Sequence, residues 1–161
     1  MKTVSLMEIR KKNGLSQASA AAIIGMPLRT YIRYENDASY GDPLKRRMIE
    51  QVMHDRFEIT ENKGLLTIED IRSGLGEVLD EYKGSVEFCY LYGSYAKGYA
   101  IETSDVDLCI STSLTGLKYV GLAEKIRSKL HKKTDLVRLS DLKDNIELVT
   151  EILKSGIRIY G

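Results

Sequence analysis

The sequence predicts an α+β chain: an all-α N-terminal domain, then a small α/β domain in which a sheet is flanked by helices. Two observations carry this. Residues 3–36 and 44–55 show short helical runs punctuated by Gly14, Gly25, Pro27 and Pro43. Past residue 65, the strand-like runs VEFCYLY, DVDLCI and TDLVRL alternate with segments of helical period, which is the pattern of a sheet covered by helices.

At 161 residues, 43% hydrophobic and 29% charged, the chain has a soluble globular balance and enough length for one ordinary core or two small ones. The formal net charge of +1 excludes nucleic-acid binding through bulk charge and leaves room for a local basic patch. The start of the chain is polar and lysine-containing, and no apolar run approaches the roughly 20 residues of a membrane span, so a cytoplasmic location is expected.

In chain order, Leu6 and Ile9 begin an amphipathic turn that Asn13-Gly14 ends. Ser16 is an N-cap for the alanine-rich helix that follows, and Gly25 breaks that helix. Met26-Pro27 starts the next one, since proline is tolerated in a first turn, and Tyr31 and Tyr34 share a face of it. Asp42-Pro43 opens a helix over residues 44–55. Residues 57–64 lose the period and read as a linker, giving domains of 1–56 and 65–161 with the boundary near Asn62.

Thr67 caps a helix over residues 68–82 whose inward face is Ile71, Leu75, Val78 and Leu79, with Gly74 and Gly76 weakening it or letting it pack closely. Val86–Tyr92 is a buried strand stopping at a tight turn on Gly93. Leu122, Ile126 and Leu130 mark a crossover helix over residues 116–131 leading to the strand at Thr134. A last helix starting at Ser140-Asp141 should turn Leu142, Ile146, Val149, Ile152 and Leu153 inward. Cys89 and Cys109 fall in strands and should be buried reduced thiols. His54 and His131 have no spaced partner and read as structural.

The chemistry concentrates between Leu91 and Ile110. Gly93 followed by Ser94 offers backbone N–H groups and a hydroxyl, which a polyphosphate needs from a loop. Asp105 and Asp107 flank Val106, so on a strand both carboxylates share one face, where they repel unless a cation neutralises them. All-oxygen ligands suit magnesium beside a nucleoside triphosphate. An Asp-x-Asp pair also suits an exposed strand end with Asp105 as a cap. Asp135, on the strand after the crossover helix, adds a third carboxylate, enough to hold two metal ions for in-line displacement at phosphorus.

Gly93-Ser94, ten residues, Asp105-x-Asp107 and then Asp135, with Ala96-Lys97-Gly98 between, resembles the DNA polymerase beta superfamily of nucleotidyltransferases, and most of all its minimal prokaryotic members. The resemblance covers residues 65–161. It implies a mixed sheet, ATP as substrate and Mg2+ as cofactor. Gly93 and Ser94 would hold the triphosphate, Asp105, Asp107 and Asp135 would bind the metal, and Asp135 would also help deprotonate the acceptor hydroxyl. Lys97 stands where many relatives have arginine and is a candidate nucleotide-binding residue.

Residues 2–55 resemble the phage-repressor type of helix-turn-helix, with Leu15-Ser16-Gln17, Gly25, Thr30, Arg33 and Glu35-Asn36 in the expected places. This implies DNA contacts from Gln17, Leu28, Arg29 and Arg33. Pro27 and Asp37 depart from the usual serine or threonine and glycine. Residues 1–56 hold ten basic against six acidic residues, a net of +4. Such modules also serve as protein-docking or dimerisation units.

Minimal nucleotidyltransferases resemble the antitoxin partners of HEPN-type ribonuclease toxins, and the family activity is transfer of AMP to a toxin tyrosine. A catalytic half that runs out soon after the third aspartate is expected to take its acceptor from a docked protein. The resemblance therefore implies an antitoxin that adenylylates a HEPN-type toxin and represses its own operon by binding operator DNA, as a homodimer or a hetero-oligomer with the toxin. The alternative is a non-enzymatic DNA-binding regulator whose nucleotidyltransferase fold only binds nucleotide or a partner. An antibiotic-modifying enzyme is disfavoured for want of an acceptor domain.

Overall fold

The computed structural model describes residues 5–161, so Lys2, counted above among the basic residues, and the expected start of the helical run at residue 3 lie outside the described residues. Two compact units divide between Glu58 and Ile59.

The first unit is helical: α1 Leu6–Lys12, α2 Gln17–Ile24, α3 Leu28–Asn36 and α4 Pro43–Phe57. Ser5 and Ser16 cap α1 and α2 through their side-chain oxygens, Pro27 stands just before α3, and Asp42 caps α4 at the Leu44 N–H. Leu6, Ala20, Ala21, Tyr31, Tyr34, Ile49 and Met53 fill its core. A buried ion pair fastens three of the helices. The Arg10 guanidinium donates to both Glu35 oxygens at 2.7 and 2.8 Å and to the Leu15 carbonyl, and the Gln17 amide adds a bond to Glu35 at 3.1 Å. Arg10 and Gln17 together hold the Glu35 carboxyl below its ordinary value against the cost of burial.

The second unit is a four-stranded mixed sheet in the order β3-β2-β1-β4, built from β1 Val86–Tyr92, β2 Val106–Thr112, β3 Thr134–Arg138 and β4 Ile157–Tyr160. β1 runs antiparallel to β2 and β4, and β2 runs parallel to β3. The parallel pair is joined by α7 Gly116–Leu130, as a crossover requires. α7 and α5, Ile68–Asp80, cover one face, where Ile71, Leu75, Leu79, Leu122 and Ile126 meet Val106, Leu108 and Ile110. Gly74 lets α5 approach α7: a Cβ there would stand 2.9 Å from Leu130 Cδ2. The opposite face packs Tyr92 and Cys109 under α8, Ile146–Ser155. Both cysteines are buried and free. Period-two alternation thus splits β2 between two cores, and Asp107 falls on the α8 side with Cys109.

The last helix differs from expectation. The chain makes a short 3-10 turn over Leu139–Leu142, then stops and restarts, with the Asn145 side chain accepting from the Leu148 N–H at the head of α8. The restart resets the helical phase. Leu142, Ile152 and, in part, Val149 face the sheet as expected, but Ile146 and Leu153 are 75% and 82% exposed. The stretch read as a linker also has structure: α4 runs to Phe57, and Thr60 and Lys63 close a small bridged turn within the second unit.

Candidate active site

The site is assembled where β1 ends and β2 and β3 begin. β1 runs without a gap into the one-turn helix α6, Gly93–Lys97, instead of the simple turn expected, and Gly98 closes it with φ of +79°. Gly93 has φ of +67°, and a Cβ built on it would overlap the Asp107 carboxylate. Glycine is needed there twice over, for the left-handed backbone and for the close approach of the carboxylate. Ser94 follows on α6, partly exposed.

Asp107 pairs with Tyr92 across the antiparallel ladder and with Asp135 across the parallel one. Two carboxylates therefore lie side by side on adjacent strands, and Asp105 stands two residues ahead of Asp107, just before β2. Burial, then the charges of Asp135, Asp105 and Glu151, push the Asp107 carboxyl up to about 6. Burial, then the charges of Asp135 and Asp107, also raise the Tyr92 hydroxyl. Asp135 is exposed on β3, an edge strand of the sheet.

Cations stand at the rim. Lys133 Nζ lies 2.8 Å from Asp105 Oδ2, and Lys97 Nζ lies 2.6 Å from Glu151 Oε1. Lys97, though exposed, therefore reaches a carboxylate on α8. Among the described residues, ligand atoms of three candidate metal-binding side chains come within 4.8 Å of one another only at His54, Asp55 and Glu58, all exposed at the end of α4. The three aspartates are brought to one edge of the sheet but not to that spacing, with Asp105 drawn to Lys133. Their donor set nevertheless fits a hard divalent cation: oxygen ligands only, with Asp107 already carrying the cost of uncompensated negative charge.

Two residues at the site carry no motif in the sequence. Glu151 adds a fourth carboxylate near Asp107 from α8. Lys132 is fully buried, and its ammonium donates to the carbonyls of Glu102 at 2.5 Å, Lys63 at 3.2 Å and Glu61 at 3.5 Å. It holds the loop leading to Asp105 against the turn at residues 60–63. Desolvation lowers its pKa. The next residue, Lys133, binds the same loop through its carbonyl, which accepts from the Val106 N–H at 2.9 Å.

In the helical unit, α3 presents Leu28, Arg29 and Arg33 to solvent, Leu28 being 43% exposed, and the Arg33 guanidinium lies 5.6 Å from the centre of the Tyr40 ring. Gln17 is separated from them by its function: its amide is engaged with Glu35 inside the unit.

A mixed sheet carrying this glycine, serine and carboxylate arrangement behind a helix-turn-helix defines a nucleotidyltransferase fold with a DNA-binding type of N-terminal module. The chain belongs to the polymerase beta nucleotidyltransferase family, whose sequence model matches residues 74–161. A helix-turn-helix model matches residues 6–50. Among solved structures, the chain is similar to a toxin–antitoxin with AMP-PNP, at 25% identity and a TM-score of 0.49 over 56% of this chain and 73% of that one. It is similar to a minimal nucleotidyltransferase at 25% identity and a TM-score of 0.49, over 57% of this chain and 95% of that one. It also resembles the structure of a tri-AMPylated Shewanella oneidensis HEPN toxin in complex with MNT antitoxin, at 22% identity and a TM-score of 0.46, over 59% and 73% of the two chains. No curated protein matches.

Proposed function

We propose that the chain is an antitoxin enzyme that transfers AMP from ATP to a hydroxyl, with tyrosine the expected acceptor, of a HEPN-type ribonuclease toxin, and that its helix-turn-helix represses its own operon. The observation that carries the reading is the placement of Asp107 directly across the parallel ladder from Asp135, with Gly93 against the Asp107 carboxylate. Family membership supports nucleotidyl transfer as the reaction class.

In this reading, Gly93 and Ser94 hold the β- and γ-phosphates, and Lys97, on release from Glu151, adds a cationic contact. Asp105, Asp107 and Asp135 would hold Mg2+, which when bound neutralises their charge and polarises the phosphate oxygens. The acceptor oxygen attacks the α-phosphorus in line, the bond from that phosphorus to the bridging oxygen breaks, and pyrophosphate leaves. Asp135 takes the hydroxyl proton and passes it to water. The exposure of Asp135 on an edge strand suits an acceptor carried by another protein, because a bulky partner can approach that edge.

The test is intact-mass spectrometry of the neighbouring gene product after incubation with this chain, ATP and magnesium. Addition of AMP is expected, and its loss in the Asp105→Asn, Asp107→Asn double variant. An unmodified partner held in a stable complex, with ATP bound, would replace the enzyme reading with the regulator reading.

A further inference from the structure

The chain has ten tyrosines, and nine of them are buried or half-buried. Tyr31, Tyr34, Tyr92 and Tyr95 lie in the cores, the Tyr119 hydroxyl donates to the Leu136 carbonyl at 2.6 Å, and the Tyr160 hydroxyl donates to the Asp80 carboxylate at 3.1 Å. Among the described residues Tyr99 is the exposed tyrosine, at 62%. Packing of its ring does not account for it.

Tyr99 stands on the rim of the candidate site. Its N–H donates to the Ser94 carbonyl at 3.1 Å, just past the Gly98 cap, so the backbone ties it to the helix that carries Ser94. Its side chain lies beside the Lys97 ammonium, which Glu151 and then Tyr99 hold above its ordinary value. In the transfer reaction set out above, Ser94 and Lys97 hold the β- and γ-phosphates, which depart as pyrophosphate. In-line displacement needs the attacking oxygen on the opposite side of the α-phosphorus. Tyr99, tied beside Lys97, is on the leaving-group side and cannot attack in its own site. The Asp135 edge of a second molecule is open to it, because that edge is exposed.

We propose that Tyr99 is a site of self-adenylylation in trans, taking AMP from ATP bound to a second copy of this chain, and that the adduct restrains the modified copy. The inference rests on the transferase reading. The Tyr99 Oη forms a bond to the α-phosphorus, the bond from that phosphorus to the bridging oxygen breaks, pyrophosphate leaves, and the phenolic proton passes to the partner's Asp135. The phosphodiester so formed carries a negative charge next to Lys97 and draws that ammonium away from an incoming triphosphate, so a modified chain binds ATP more weakly. Self-modification is then a brake that acts when no protein acceptor competes for the site.

Intact-mass spectrometry with peptide mapping of the chain incubated alone with ATP and magnesium tests it. One AMP per chain is expected, on Tyr99. Tyr99→Phe should take none, melt as the wild type does, and still modify the neighbouring gene product at the wild-type rate. Mixing Tyr99→Phe with the Asp105→Asn, Asp107→Asn double variant should place AMP on the double variant, which brings an acceptor and no metal site. Calorimetry with an α,β-methylene analogue of ATP should show binding to the purified modified chain weakened about tenfold. A gene product that gains AMP while the wild-type chain stays unmodified would overturn self-modification and leave the transferase reading standing, whereas no AMP on either protein would sink both. AMP persisting on Tyr99→Phe would overturn the choice of residue. AMP absent from the double variant in the mixture would overturn transfer in trans, and undiminished analogue binding would overturn the brake.

Discussion

Asp107 and Asp135 face each other directly across the parallel β2–β3 ladder, and the Asp107 carboxyl is raised from an ordinary 3.8 to about 6. A carboxyl raised on folding withdraws stability when it ionises. The penalty is absent below about pH 4, where folded and unfolded forms are both protonated, and complete above about pH 6. In metal-free buffer, Asp107→Asn should therefore be more stable than wild type above pH 6, by on the order of 1–2 kcal/mol once solvent screening of this part-exposed group is allowed for. Urea unfolding of both proteins from pH 4 to pH 8 checks this. The stability difference should open across pH 4 to 6 and then stay level, and a difference that does not vary with pH would contradict it.

Gly93 and Gly98 bound the same short helix with similar left-handed backbones, φ of +67° and +79°, but only Gly93 has a neighbour in the way of a side chain. Gly98→Ala should cost about 1 kcal/mol of backbone strain and leave transfer nearly intact. Gly93→Ala carries the same strain and must also displace the Asp107 carboxylate, so transfer should fall by more than about tenfold. Comparing unfolding midpoints and transfer rates of the two variants separates strain from displacement. Equal losses of activity would argue that Gly93 serves only the turn.

What the sequence disclosed depended on whether a residue's role was local. Alternation along Val86–Tyr92 and the β2 run fixes which side chains share a face, and the left-handed glycine before Ser94 is a local requirement, so these were legible. The opposition of Asp107 and Asp135 is a matter of register between strands separated by α7, and the α7 sequence says only that they are parallel. Ile146 and Leu153 were misassigned because a helix interrupted at Asn145 loses its phase, and the spacing of apolar residues does not reveal the restart. Lys132 was invisible because one lysine after a helix looks solvated. Its burial depends on carbonyls from two distant loops.

That burial makes Lys132 testable. Lys132→Met keeps the length and apolar stem while leaving the carbonyls of Glu61, Lys63 and Glu102 without their charged donor, at a cost of about 2–4 kcal/mol. Hydrogen exchange should show lost protection over residues 60–64 and 101–105 ahead of the sheet. Uniform loss across the second unit would instead mark Lys132 as part of the global core. Transfer should fall with the loop, because the loop delivers Asp105.

On α3, Arg29 and Arg33 are exposed, whereas the Gln17 amide is spent on Glu35. Three of the four residues expected to share one DNA-binding role should therefore separate by mechanism. Arg29→Ala and Arg33→Ala should each weaken binding to the protein's own promoter by about 1–3 kcal/mol without lowering the melting temperature. If either arginine contacts phosphate, its loss should also reduce the salt dependence of binding by about one ion. Gln17→Ala removes a bond to a buried carboxylate, so its first effect should be a stability loss of about 1 kcal/mol, with affinity changing only through the fraction folded. Footprinting at several salt concentrations, alongside thermal melts of the same variants, distinguishes these outcomes. A footprint unchanged by both arginine substitutions would make the helical unit a protein-docking module, and a Gln17→Ala variant with wild-type stability but weakened binding would return that residue to the DNA face.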